Sequence, residues 1–217
     1  RESVGTVGFF INENPSGLTI SYDKEVTNAI KQEAALRVED EEAKTPTIDA
    51  IREVSTNTIN RILSPISSVN SLLTHATLQD IEDIEQDGRR LKKMTFTMPV
   101  ESFIRNKQVR KYVDKFDGKL TITATEEGVP VEMATVFEGS GRAYIFFSMK
   151  AAGSSLNRYE VVNDRLVMTF SERYNKYEST FGNGENSSIL MFSPKEMSQE
   201  QPQNAAYLAN TSNDTSM

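Results

Sequence analysis

The sequence has no cysteine, no tryptophan and a single histidine, His75. Without cysteine there are no disulfides, no thiolate metal ligands and no cysteine nucleophile. One histidine excludes His-rich metal sites and all but excludes Ser-His-Asp chemistry. Long apolar runs are missing as well. Ala143–Phe147 and Ile189–Phe192 are of strand length, far below the ~20 residues of a membrane helix, so no membrane insertion is expected. No charged leader followed by an apolar stretch opens the chain, so a signal peptide is expected to be absent or already removed. Arg1 stands where either a processed terminus or a mere boundary would.

Motifs that name a reaction are also lacking. Gly139-Ser140-Gly141-Arg142 is glycine-rich but has no Lys-Ser/Thr pair and joins two strand-like runs, so it reads as a hairpin loop. His75 lies among Leu72, Leu73, Ala76 and Leu78 and reads as a packed or capped side chain. Glu126, Glu127, Glu132 and Glu138 include enough carboxylates for glycoside chemistry, yet no tryptophan platform accompanies them. Tyr144, Phe146, Tyr159, Tyr174 and Tyr177 could stack bases on a sheet, but alternating strand aromatics are more often core or cross-strand pairs. No cofactor, metal site or catalytic residue is expected.

What is present is a chain of 217 residues, 37% hydrophobic and 25% charged. That composition can bury a core and fits one large domain or two small ones. Val4–Ile11 and Leu18–Tyr22 flank the turn cluster Asn12–Gly17 and predict a hairpin over residues 1–23. Asp23 is a candidate N-cap for a helix from Lys24, whose stripe Val26, Ile30, Ala34 and Val38 is narrow. Thr45-Pro46 restarts a helix, and Pro65 interrupts the next run. Thr77–Asp80 resembles a capping box, with Leu78, Ile81 and Ile84 as a short apolar face ended by Gly88. Met94–Val100 alternates as a strand, and Glu101–Phe116 carries helical spacing with aromatic anchors.

Residues 24–118 are thus expected to be mainly helical, with one strand near 94–100. From Lys119 to residue 193 the pattern is a meander, with turns at Glu126–Gly128, Glu138–Gly141, Ala152–Ser155, Asn163-Asp164 and Gly182–Gly184. Residues 194–217 form a polar tail that should stay unstructured unless something holds it. Segregated helices and strands make the fold class α+β: an N-terminal β-hairpin, a helical middle region and a C-terminal antiparallel β-meander.

Charge is the most informative pattern. The net charge is -7, but residues 33–88 hold twelve acids against four bases, and residues 89–119 hold ten bases against three acids. The acidic candidates are Glu39, Asp40, Glu41, Glu42, Glu82, Asp83 and Glu85. The basic candidates are Arg89, Arg90, Lys92, Lys93, Arg105, Lys107, Arg110, Lys111 and Lys115. Three readings compete. The two stretches offset each other within one fold. Or acidic and basic faces of neighbouring copies meet. Or the basic stretch contacts the phosphates of a nucleic acid. The leading expectation is a non-enzymatic structural or assembly protein, partnered by itself or by other structural proteins, as a virus or phage particle component would be. A nucleic-acid-associated protein is the alternative, and an acid-based enzyme comes third.

Overall fold

The computed structural model describes residues 2–104, 106–143, 147–194 and 204–216. The fold is α+β, with the expected N-terminal hairpin, helical middle and C-terminal antiparallel sheet. The hairpin is β1 (Glu2–Asn14) and β2 (Gly17–Ser21). Four helices follow: α1 (Lys24–Glu39), α2 (Pro46–Arg52), α3 (Thr56–Leu63) and α4 (Ile66–Leu73). Then come β3 (Thr77–Gln86), β4 (Arg89–Thr97), the short α5 (Lys107–Arg110), β5 (Val113–Thr125), β6 (Pro130–Ala143), β7 (Phe147–Val162), β8 (Arg165–Ser179), β9 (Gly182–Ser193) and β10 (Asn204–Ser216).

All ten strands belong to one antiparallel sheet, in the order β2-β1-β10-β9-β8-β7-β6-β5-β4-β3. The two edge strands, β2 and β3, are consecutive in sequence. The helices that join them therefore cross from one edge of the sheet to the other and cover one face.

Local signals set the helix ends. The Asp23 carboxylate accepts from Val26 N at 2.8 Å and starts α1. Thr45 gives α2 no side-chain cap. Glu33 of α1 does so instead, accepting from Thr47 N and Ile48 N, each at 2.9 Å. Ser55 caps α3, and Pro65 separates α3 from α4.

The core lies between the helices and one sheet face. Val7, Phe9 and Ile11 of β1, Ile59, Ile62 and Leu63 of α3, and Leu120 and Ile122 of β5 are buried together, with Leu190 and Phe192 of β9. Each such side chain contributes about 1.5–3 kcal/mol by leaving water. Arg165 ties this assembly at one corner, donating to the Leu63 carbonyl and pairing with Glu13 at 2.7 Å.

Several local expectations are corrected. Residues 77–86 are a strand and not a helix, because Glu82, Asp83 and Glu85 lie opposite Lys93, Lys92 and Arg90 across a hairpin. Its turn is Asp87-Gly88, with φ of 52° and 71°, the two-residue turn that suits strand twist. The helical spacing of Leu78, Ile81 and Ile84 is accidental. A bulge at Gln79 and alternation across both faces produce it. The strand expected at 94–100 starts earlier, at Arg89, and stops before Met98-Pro99.

Glu101–Phe116 is not a long helix. Only Lys107–Arg110 is α-helical, and Val113 already begins β5. Phe103, Phe116 and Phe137 form a ring cluster with centroids 4.8–6.4 Å apart, and that tertiary contact overrides local spacing.

Glu138–Gly141 and Ala152–Ser155 are not turns; they lie inside β6 and β7. A Cβ on Gly153 would stand 2.5 Å from the Phe137 ring of the neighbouring strand, so the glycine makes room for an aromatic on its partner. The reversal between β8 and β9 is at Thr180-Phe181, with Gly182–Gly184 already in β9. Asn163-Asp164 is the expected two-residue turn, with φ of 51° and 60°. Finally, the polar segment 204–216 is not loose. It forms β10, paired along its length with β1 and β9, so two strand edges satisfy its backbone whatever its side chains.

Candidate interaction surface

The charged candidates fall into separate places. Glu39 ends α1, and Asp40, Glu41 and Glu42 lie in the α1–α2 connection, where Asp40 Oδ1 accepts from Glu42 N at 2.9 Å. Glu82, Asp83 and Glu85 stand on β3, and Arg89, Arg90, Lys92 and Lys93 on β4. Lys92 Nζ reaches Asp83 at 3.1 Å and Lys93 Nζ reaches Glu82 at 3.0 Å. The acidic and basic stretches therefore meet inside one hairpin, and the abrupt sign change at Asp87-Gly88 is its turn.

The remaining bases are distant from that hairpin tip. Thr97 of β4 pairs with Lys119 of β5, so Lys107, Arg110, Lys111 and Lys115 lie beyond the opposite end of β4. At ~3.3 Å per residue, that is more than about 30 Å from Arg89. Arg110 is largely buried; it donates to the Ile104 carbonyl at 2.8 Å and approaches Glu101 at 3.7 Å. Arg105 lies outside the described residues, as do Tyr144 and Phe146. His75, expected to be packed, is exposed in the α4–β3 link.

The surface that the sequence did not single out is the face of the sheet opposite the helices. Registers place its side chains in rows across β9 to β5. One row is Met191, Phe170, Arg158 and Glu132; the next is Ile189, Glu172, Leu156, Ala134 and Thr121; the third is Ser187, Tyr174, Ser154, Val136 and Lys119. Val136 is 56% exposed, Met191 51% and Ile189 37%. Phe170, Leu156 and Tyr174 are half-buried beside them.

The next rows carry charge of both signs: Glu185, Lys176 and Glu138, then Glu178 and Lys150. Lys176 and Glu178 pair at 2.9 Å, and Arg158 pairs with Glu132 at 3.3 Å while lying 5.2 Å above the Phe170 ring. At that end Lys115, Lys150 and Lys176 line an open depression of about 580 Å³ with Asp117, Glu138 and Glu178. No helix among the described residues crosses this face; those in the core pack on the other one. The face thus mixes exposed apolar side chains with charged ones, Glu172 and Arg158 among them, in a proportion that protein interfaces share.

The signal for this surface was present as the positions alternate to Leu190, Phe192, Asn157 and Met133. It was unreadable as a surface until the helices were seen to cover only one face. No helix among the described residues is long and apolar enough to cross a membrane. No protein-family model matches the chain, and no curated protein matches its sequence.

Proposed function

We propose that the chain is a non-enzymatic assembly protein that associates with a second copy of itself through the bare face of β5–β9. The observation that carries this reading is the set of exposed apolar side chains Val136, Ile189 and Met191 on a face that no described helix covers, interspersed with Glu172 and Arg158 and bordered at one end by rows of mixed charge. Five strands at ~4.8 Å spacing, twelve or more residues long at ~3.3 Å each, present roughly 1,000 Å² per copy. A standard interface buries about 800 Å² per partner. The charged rows alternate Glu185, Lys176 and Glu138 with Lys150 and Glu178, so a two-fold related copy can set acid against base. Incorporation into a larger particle, a virion among them, is the setting such self-association serves. Nucleic-acid binding through residues 89–115 draws weaker support, because Lys92 and Lys93 already hold carboxylates and the basic helix is a single turn.

Light scattering on a sizing column tests the reading. The wild type should run at twice its 24.3 kDa mass at micromolar concentration and persist in high salt, because salt screens the charges but not the apolar contacts. Val136→Lys combined with Met191→Lys should give a folded monomer. A wild type that stays monomeric at every concentration contradicts the proposal. Nucleic acid that co-elutes and is stripped by salt would replace it with the second reading.

A further inference from the structure

Beneath α3 and α4 the core face of the sheet turns polar. Thr135, Ser155 and Arg173 occupy one register row across β6–β8, and Met133, Asn157 and Ser171 occupy the next. Arg61 of α3 faces the same space, and a cavity of about 260 Å³ is lined by it and by Met133, Thr135, Ser155, Asn157 and Arg173, but not by Ser171. Leu72, Phe103, Phe137 and Met168 supply its apolar walls.

The polar groups here are poorly matched to one another. Arg61 and Arg173 are both largely withdrawn from water, and neither makes an ion pair or hydrogen bond among the described residues. Burial, and then the charge of Arg173, pulls the pKa of Arg61 down to about 10, so it is still cationic at neutral pH. Burial lowers Arg173 as well, while Glu53 favours both charges without bonding either. Burial pushes Tyr159 up to about 12, so its hydroxyl is neutral, and its one acceptor is the weak Met133 sulfur at 3.9 Å.

Asn157, which lines the cavity, is 5% exposed, and its Oδ1 has no partner among the described residues. Only the Thr135 and Ser155 hydroxyls satisfy each other, at 2.7 Å. Buried polar atoms are nearly always paired, and two half-buried guanidiniums sharing one space, with no carboxylate bonded to either, favour an added counter-charge.

We propose that this cleft binds a small organic anion, its carboxylate or phosphate head held between Arg61 and Arg173 and its body lying against Leu72, Phe103 and Phe137. The guanidinium fork matches planar carboxylate and phosphate oxygens. A hydroxyl or amine on the body donates to Asn157 Oδ1. The volume, just below the ~300 Å³ of typical ligand pockets, restricts the ligand to a small molecule. The site is on the helix-covered face, so it stands or falls independently of self-association.

The test is thermal shift and calorimetry with phenyl phosphate, benzoate and inorganic phosphate, at ionic strength held constant with sodium chloride. Saturable stabilisation is expected, with phenyl phosphate at least tenfold tighter than inorganic phosphate because its ring adds apolar burial. The ranking of phenyl phosphate against benzoate identifies the head group. Arg61→Gln and Arg173→Gln should each weaken binding more than tenfold, whereas Lys119→Gln on the other face should not. In the wild type, phenyl phosphate should slow phenylglyoxal modification of both arginines, a readout that needs no variant to fold. Shifts no larger than those of sodium chloride, or unprotected arginines, overturn the proposal.

Discussion

One carboxylate links the first two helices. Glu33 is 9% exposed and spends both oxygens on the backbone N–H groups of Thr47 and Ile48. Those donors belong to the first turn of α2, where the helix leaves them unsatisfied and where its dipole favours negative charge. Glu33→Ala should therefore lower stability by about 1–3 kcal/mol, read by urea unfolding, with Glu33→Gln losing less because its amide oxygen still accepts. An unchanged midpoint in Glu33→Ala would refute the capping role. The Asp23 cap was legible from the sequence because its partner, Val26, is three residues away. Glu33 was not, because its partners lie fourteen and fifteen residues on. Gly153 is similar. A Cβ there would meet the Phe137 ring and Asn175 Oδ1, at 2.5 and 2.7 Å, so Gly153→Ala should cost about 1–3 kcal/mol through overpacking, seen as a lower Tm. As a bare letter in Ala-Gly-Ser-Ser, that glycine looked like a turn.

The elements show where local reading succeeded and failed. Helices α1 to α4 and the first hairpin follow from caps, Pro46, Pro65 and a turn cluster, all short-range signals. β3 fails that reading, because its apolar spacing imitates a helix and its strand state comes from ladder pairing with β4, along which opposite charges face each other. Asp87-Gly88 was the available clue, and the inverted order of acids and bases on either side of it was the second. The pairs Glu82–Lys93 and Asp83–Lys92 are exposed, so each contributes about 0.2–1 kcal/mol. Lys93→Glu should destabilise by a comparable amount, and adding Glu82→Lys should restore most of it in a double-mutant cycle. No coupling between the two would mean that the edge charges act only as solvated guards of a free strand edge. β10 fails for another reason. Composition forecasts whether a segment can bury side chains, but β10 is held by backbone pairing to β1 and β9.

At the scale of the whole molecule, the arrangement has two unlike faces. The four helices begin at edge strand β2, end at edge strand β3, and bury one side of the sheet between them. That side holds the core and the arginine cleft. The other side keeps Val136, Ile189 and Met191 in water. The bipolar charge of the sequence suggested assembly through opposite electrical faces. In the fold much of that polarity is neutralised within one hairpin, and the surface that supports assembly is the apolar one.

Because the chain has no cysteine, Val136→Cys introduces a unique thiol on that surface, and a spin label on it reports directly on a second copy. If two sheets stack face to face at ~10 Å, the labels should show strong short-range dipolar coupling at micromolar protein, lost when Met191→Lys is added. A label at position 136 that remains isolated at every concentration would contradict self-association through this face.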